Sequence, residues 1–500
     1  MEPSGVKRRS KKQQYRSKSS PACCFKCGTV QLRSRRNFLY ALVGVAATPY
    51  VSRRVGAEAI LDASVTVGYD QPGRAVSENF IGLSYESAVL ASPQRLSPEN
   101  PSIIGLLSGL GSGGVLRLGG NSSARTVWRD IDDRSEVETF VVTPAAIDGL
   151  AILIKALDWR LIYGLNLARA KPEAAAEEAA YVAQAMGPRL LAFQIGNEPD
   201  GFGRWFGVRP QGYDFGAFIA EWRQFHAAIV ARLPAAPFAG PDIVSDDSWV
   251  SQFIEATGDS LVLVTRHYYA DGPAGAPHIS LARLLRSASN AERMLGTMRA
   301  ISGRFHLPFR LSETNSIFNE GQPGVSDAFG SALWGLEFMF QVAEAGGEGV
   351  NFHTGDAKVY TPIGPGPDGQ HVARPLYYGI LMFKEAVRGA ELIPAQLMAA
   401  DGNLAAYSTR TSDGTLRVCL INKALNKGAR VGVEVGHEFQ SASLLRLTAP
   451  SAEARTDVTF GDAAVDGLGH YSPQPLKVFP WRPGASVEVP ASSAVIIQLS

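Results

Sequence analysis

From residue 80 onward, short apolar runs alternate with longer stretches whose apolar residues recur every three or four positions. The runs Phe80–Tyr85, Val115–Leu118, Leu161–Leu165, Leu190–Ile195, Pro237–Gly240, Leu261–Thr265, Phe309–Leu311 and Gly349–Phe352 read as buried strands. Between them, Ala145–Leu157, Glu173–Met186, Phe215–Leu233, Asp247–Ala256, Leu281–Ile301, Ala328–Ala345 and Leu376–Val387 read as helices. In Phe215–Leu233, for example, apolar residues at 215, 218, 219, 222, 225 and 229 make one continuous face. Eight strands alternating with helices over 79–388 predict an α/β fold, a (β/α)8 TIM barrel. A doubly wound open sheet would usually show fewer strands and a glycine-rich phosphate loop after a strand. Here Gly111-Ser112-Gly113-Gly114 precedes a strand instead.

After residue 389 the period changes to two. Leu404–Thr409, Leu416–Asn422, Arg430–Val435, Ala442–Leu447 and Val495–Leu499 are short alternating runs separated by turn residues, the pattern of an all-β sandwich. A strand at Ala63–Val67, closed by Gln71-Pro72-Gly73, has no place in the barrel. It is expected to join an accessory β-sandwich built from 60–78 plus 389–500.

The overall charge of +1 conceals an asymmetry. Residues 1–40 hold eleven Lys or Arg, whereas 60–500 hold 35 basic and 45 acidic residues. The folded part is therefore mildly acidic, which argues against nucleic acid and long polyanions as partners. Within 1–59, Ser34-Arg35-Arg36-Asn37-Phe38-Leu39 is a twin-arginine pattern, followed by an apolar run and Ala57-Glu58-Ala59. This leader predicts export, to a periplasmic or extracellular location. Its apolar run is too short for a stable membrane span. Cys23, Cys24 and Cys27 fall in the leader, and Cys419, in LRVCLIN, reads as a small buried hydrophobe.

The candidate chemistry lies at the strand ends. Six runs finish in polar residues: Ser84-Tyr85-Glu86, Gly119-Gly120-Asn121-Ser122, Asn197-Glu198, His267-Tyr268-Tyr269, Glu313-Thr314-Asn315 and His353-Thr354-Gly355-Asp356. In a (β/α)8 barrel all of these meet on the catalytic face. Glu198 and Glu313, at the ends of strands four and seven, suit glycoside hydrolysis by double displacement. Glu198 is the expected acid/base, kept protonated by burial and neighbouring negative charge. Glu313 is the expected nucleophile, held ionised with Tyr269 as a donor, and Asn197 is placed to bond the sugar's 2-hydroxyl. Glu86, Asn121, Ser122 and His267 complete the expected substrate-binding set. No HExxH or HxxEH spacing occurs, and neither metal nor cofactor is expected.

The segments QIGNEPDGF, RLSETNSIF, LRLGGNSSARTVW, IGLSYES and RHYY together resemble the heparanase and microbial β-glucuronidase family, glycoside hydrolase family 79. The resemblance extends over nearly all of 60–500. It implies a barrel with a sandwich at its side, retention of configuration, and a substrate with a terminal uronic acid. It also implies Glu198 as acid/base, Glu313 as nucleophile, Tyr269 beside the nucleophile and Tyr360 near the sugar. Where that family often places a tyrosine before glycines that receive the uronate carboxylate, this chain has Phe318, then Asn319-Glu320-Gly321. Tyr360, Lys358 and the backbone near Glu320 and Gly321 are the remaining candidates for the carboxylate. The expected activity is an exported, retaining, exo-acting hydrolase of β-linked glucuronic acid or its 4-O-methyl form. The alternatives are a barrel glycosidase for a neutral sugar and a non-catalytic carbohydrate-binding surface protein.

Overall fold

The computed structural model describes residues 60–128, 139–399, 403–474 and 476–500. The leader, with its arginine pair and three cysteines, lies outside the described residues. Among the described residues, no helix is long and apolar enough to cross a membrane.

Eight parallel strands close into a barrel: β1 Ile81–Glu86, β2 Val115–Gly119, β3 Arg160–Leu165, β4 Leu190–Ile195, β5 Phe238–Ile243, β6 Leu261–Asp271, β7 Phe309–Ile317 and β8 Val350–Thr354. Each pairs with its sequence neighbours, and β8 returns to β1. One main helix follows each strand: α1 Pro101–Gly109, α2 Pro144–Leu157, α3 Pro172–Met186, α4 Phe215–Arg232, α5 Ser248–Thr257, α6 Ala288–Phe305, α7 Phe329–Glu344 and α8 Pro375–Val387. The strands are apolar because helices cover their outer faces and side chains fill the interior. Val115, Ile162, Ala192, Ala239 and Leu263 form a small apolar cluster of their own in these strands. Near the N-terminal end of β7, the buried Arg310 donates to Asn351 and to the backbone carbonyls of Asn79, Phe80 and Glu348.

The structure departs from the sequence reading at several elements; β6 and β7, for instance, run past their expected ends at Thr265 and Leu311. Helix α1 was not anticipated, although its start carries a cap: the Asn100 side chain accepts from Ile103 N–H, and Pro101 opens the helix. The single helix expected over Leu281–Ile301 is split into a turn at Leu281–Leu284 and α6. Between them the Ser287 hydroxyl donates to the Leu284 carbonyl, a local bond that competes with helix propagation. Strand β5 continues through Pro241 to Ile243, beyond the expected end at Gly240.

The accessory part has two sheets. Ile60–Val67 pairs in parallel with Gly428–Val435 and antiparallel with Ala395–Ala399, so the first described strand joins the C-terminal ones. The larger sheet is centred on Leu404–Thr411, Leu416–Asn422, Ser493–Leu499 and Ser441–Thr448. Its inner face packs Val418, Leu420, Val495 and Ile497 against Val65, Val431 and Val433. Its other face, with Tyr407, Cys419, Ile421 and Ile496, belongs to the barrel's hydrophobic core. Helix α7 is buried along nearly its whole length because sheet and barrel cover it from two sides. There Phe340 stacks on Tyr407 at 4.4 Å, and the buried Lys423 ammonium donates to both oxygens of Glu337.

Candidate active site

The strand ends carry their polar residues onto one face, where a buried network ties them together. At its centre is Arg117, in the middle of β2 and fully buried. Its guanidinium donates to Glu313 Oε2 at 2.7 Å, Asn197 Oδ1 at 2.7 Å, Gln194 Oε1 at 3.0 Å, Ser84 Oγ at 3.1 Å, and Asp242. Burial disfavours its charge, but Asp242 and Glu313 outweigh burial and raise its pKa.

Glu198 ends β4 with a left-handed backbone, φ 49° and ψ 52°, immediately before Pro199. For a non-glycine residue this conformation costs roughly 1–3 kcal/mol unless its surroundings fix it. Here Glu198 N–H donates to the Asp242 carbonyl at 2.9 Å, and the Glu198 carbonyl accepts from Gly201 N–H. Asp242 is itself left-handed, at φ 62°. The two strained residues therefore brace each other across β4 and β5.

Glu313 reaches the same centre from β7 through an irregularity. Ser312 and Glu313 both face the barrel axis, the first donating to Asp242 and the second accepting from Arg117. Adjacent residues of a regular strand point to opposite faces. The register shift between Leu311 and Thr314 against β8 turns both inward. The other Glu313 oxygen accepts from the Tyr269 hydroxyl at 2.9 Å.

His267, fully buried on β6, spans Glu198 and Asp242. Its Nδ1 is 2.9 Å from Glu198 Oε1 and its Nε2 is 3.1 Å from Asp242 Oδ2. Burial opposes its charge, but Asp242 and Glu313 overcome burial and lift its pKa to about 10. As a cation it donates from both nitrogens. Neither nitrogen is then left for a sugar hydroxyl, so His267 is a positioning residue rather than the substrate ligand expected from sequence.

The three carboxyls of the network now differ for physical reasons. Arg117 and His267 bring two positive charges against Asp242, Glu313 and Glu198. Asp242 is held well below the usual carboxylate range, because Arg117 and His267 overcome its burial. Glu313 is lowered to about 2; burial works against this, and His353, His267 and Arg117 prevail. Glu198 is left with the largest uncompensated burial. Desolvation raises its pKa despite the His267 contact, and the charge of Glu313 adds to the rise. With His267 donating to Oε1, the proton of Glu198 belongs on its other oxygen.

The remaining expected residues surround this pair. Glu86 accepts from Ser122 N–H at 2.8 Å and lies 3.5 Å from His353 Nε2. Gly120 before it is obligatory: φ is 68°, and an added Cβ would sit 2.4 Å from Glu86 Oε2. Ser122 uses its hydroxyl to accept from Ala88 N–H, tying the β1 and β2 loops together. Asn121 is exposed, and its Oδ1 accepts from Asn197 Nδ2 at 3.3 Å. Tyr360 is buried with its ring 6.0 Å from that of Tyr269. Gly321 packs against it so closely that a Cβ would lie 2.8 Å from Tyr360 N. Glu320 points to the rim with its side chain 62% exposed, and Lys358 Nζ lies 3.4 Å from it and 3.8 Å from Glu86. Phe318 leans on Gly272 and meets the Tyr269 ring edge-on at 6.5 Å.

Sequence reasoning missed Arg117, Gln194, Asp242 and Ser312. The signal was present: a charged or amide residue inside each apolar run LRL, AFQI and GPDI has to be paired once buried. Among the described residues, Glu198, His267 and Glu313 are the group whose ligand atoms, all within 4.8 Å of one another, could hold a metal ion. All three are already engaged by protein donors or acceptors.

No protein-family model matches the chain. A β-glucuronidase of Aspergillus niger is 26% identical over 436 residues, 77% of this chain and 78% of that protein. The heparanase of Bos taurus is 26% identical over 226 residues, covering 42% of this chain and 38% of that one. Among solved structures, a 4-O-α-L-rhamnosyl-β-D-glucuronidase from Fusarium oxysporum superposes with a TM-score of 0.74 at 19% identity, over 88% of this chain and all of that one. That structural likeness establishes the shared fold, a barrel with an additional antiparallel domain.

Proposed function

We propose that this chain, a member of the heparanase and β-glucuronidase family of glycoside hydrolases, removes terminal β-linked glucuronic acid, plain or 4-O-methylated, with retention of configuration. The observation that carries this reading is the Glu198–Glu313 pair. A carboxylate oxygen of one lies within 4.8 Å of one of the other. Double displacement uses carboxyls about 5–5.5 Å apart, whereas inversion needs about 6.5–9.5 Å to admit a water.

Glu313, ionised and oriented by Tyr269 and Arg117, attacks the anomeric carbon and forms the glycosyl–enzyme ester. Glu198 gives its proton to the departing oxygen. Once ionised, Glu198 takes a proton from the water that cleaves the ester. Asn197, fixed by Arg117 through its Oδ1, turns its Nδ2 toward Asn121 and the sugar's 2-hydroxyl. For the uronate carboxylate the proposed receptor is Lys358, with Tyr360 and the backbone at Gly321 beside it. Glu320, largely exposed, is free to yield its place on Lys358. The relatives' names support glucuronic acid as the sugar. The leader Ser34–Leu39 supports export to a periplasmic or extracellular location, and exo action belongs to the same proposal.

A panel of aryl β-glycosides tests the sugar. Glucuronide is expected to exceed glucoside and xyloside in kcat/KM by about 10²-fold or more, since a site built for a charged group rejects analogues lacking it. Equal rates would instead favour a neutral-sugar glycosidase. That second reading draws on Phe318, which has no hydroxyl, and on Lys358 being already paired with Glu86 and Glu320.

The pH profile follows from the two carboxyls. The acidic limb should fall near the low Glu313 value of about 2, and the alkaline limb above the ordinary carboxylate range, where Glu198 loses its proton. His267→Gln removes a cation that favours the ionised form of both carboxyls, so both pKa values rise. Both limbs of kcat/KM are expected to move to higher pH, by about one unit. Limbs that stay in place while the rate falls would mean that His267 acts only as a structural support.

A further inference from the structure

The barrel end opposite the catalytic face carries a second charged centre. Ile162 is the register partner of Arg117 and faces the barrel interior with it. Arg160, two residues earlier on β3, points the same way, because strand side chains alternate. On β7, Arg310 stands two residues before the inward-facing Ser312 and also points inward. In the closed ring of eight strands, β3 and β7 lie on opposite sides. The two arginines therefore face each other across the N-terminal mouth of the barrel. A cavity of about 330 Å³ opens there, and both line it.

Their charges are not matched by protein groups. Arg310 is 1% exposed. Its guanidinium donates only to neutral acceptors, Asn351 Oδ1 and the carbonyls of Asn79, Phe80 and Glu348, four bonds from five N–H groups. Arg117, buried as deeply, faces two carboxylates. Burial lowers the pKa of Arg310 to about 9, and the charge of Glu348 offsets only part of the fall. Arg160 is half-buried and has neither a side-chain hydrogen bond nor an ion pair among the described residues. Glu348 also lines the cavity, but it is exposed and forms no ion pair with either arginine. A fully buried arginine is almost always paired with an anion, because burial without a counter-charge is costly.

Much of the remaining wall is apolar. Leu191, Val262 and Pro308 belong to it, and Val262 is 46% exposed. Cavities of about 300–1,000 Å³ that combine apolar walls with a few fixed polar groups are the usual form of small-molecule sites. A planar guanidinium takes a carboxylate through two parallel N–H···O bonds. Arg160 has all its donors free for this, and Arg310 adds a fixed positive charge.

We propose that this mouth binds a small organic acid, with its carboxylate between Arg160 and Arg310 and its carbon body against Leu191, Val262 and Pro308. The ligand supplies the missing negative charge and ties together the starts of β3, β4, β6 and β7. The site stands apart from the catalytic face, and the inference does not rest on the glycosidase reading.

The test titrates the full chain with benzoate and with benzamide, which differ in charge at nearly equal shape, and follows binding by calorimetry. Benzoate is expected to bind one to one, and benzamide about tenfold or more weakly, because hydrogen bonds to a charged group are the stronger ones. Arg310 also holds three backbone carbonyls, so the test is placed on Arg160, whose side chain holds no described partner. Arg160→Gln should weaken benzoate about fivefold, the upper end for an incompletely buried ion pair. Benzoate should also raise the melting temperature of wild type more than that of Arg160→Gln. Lys358→Gln, which removes a cation of the catalytic face, should leave benzoate affinity unchanged. Inorganic phosphate should bind more weakly than benzoate, since it leaves the apolar wall uncovered. Benzoate affinity unchanged by Arg160→Gln, or equal affinity for benzoate and benzamide, overturns the proposal. Phosphate binding as tightly as benzoate overturns the organic acid as the ligand.

Discussion

Glu313→Gln should lower kcat by about 10⁴-fold or more, the scale seen when a catalytic nucleophile is removed. The replacement keeps the side chain's shape. Its amide oxygen can still accept from Tyr269 or from Arg117, which in the native site hold the two carboxylate oxygens at 2.9 and 2.7 Å. What is lost is the negative charge and with it the ability to form the ester. Arg117 keeps Asp242 as a counter-charge, so the fold should survive, which circular dichroism and a melting curve would show. Residual turnover above about one part in a hundred, from a properly folded variant and with wild-type contamination excluded, would show that the nucleophile is elsewhere. It would also make the pairing of Glu313 with Arg117 a purely structural one.

Glu198→Ala should give a different signature, because an acid matters in proportion to how poorly the aglycone leaves. With a poor leaving group the loss should approach about 10²–10⁴-fold, the usual contribution of general acid catalysis. With a strongly activated aryl glucuronide, ester formation should continue and its hydrolysis should become limiting. Azide, which needs no general base, fits the space vacated by the carboxyl and should restore turnover. The product should be the β-glycosyl azide, since two displacements restore the original configuration. An α-azide would mean that the two glutamates have exchanged roles. No rescue together with a leaving-group-independent loss would remove Glu198 from acid/base chemistry. The geometry favours the first outcome: His267 remains anchored on Asp242 when Glu198 is shortened, so the rest of the network has its partners.

The two variants probe opposite consequences of one charge distribution. Asp242 and Glu313 share Arg117, whereas Glu198 faces only His267, which is itself committed to Asp242. In a site closed to solvent the proton goes to the carboxyl with the least compensation. In the proposed mechanism this assigns the acid role to Glu198 and the nucleophile role to Glu313, although the two residues are chemically identical.

Much of this was legible in the chain. The apolar period marked all eight barrel strands, because strands covered on both faces must be apolar throughout. Polar residues at the ends of those runs marked the catalytic face, since a parallel barrel places all its strand C-termini together. Glu198 and Glu313 could be singled out because each lies within three residues of the end of an apolar run. The ends of elements were less legible. Pro241 reads as a stop, yet β5 continues past it and delivers Asp242 to the site. Ser312 and Glu313 cannot both face inward in a regular strand, and only the irregular pairing of β7 with β8 allows it.

Local sequence determined the strand and helix order, the change to an alternating period after residue 389, and the two glutamates, because these depend on periodicity and on neighbours along the chain. Tertiary structure alone decided which glutamate carries the raised pKa, that His267 serves Glu198 rather than the sugar, and that Arg117 ties β2 to four other strands at one point. These are properties of distances between residues far apart in the chain, 69 positions for His267 and Glu198 and 196 for Arg117 and Glu313. Burial sets their energies, and burial exists only once the barrel has closed.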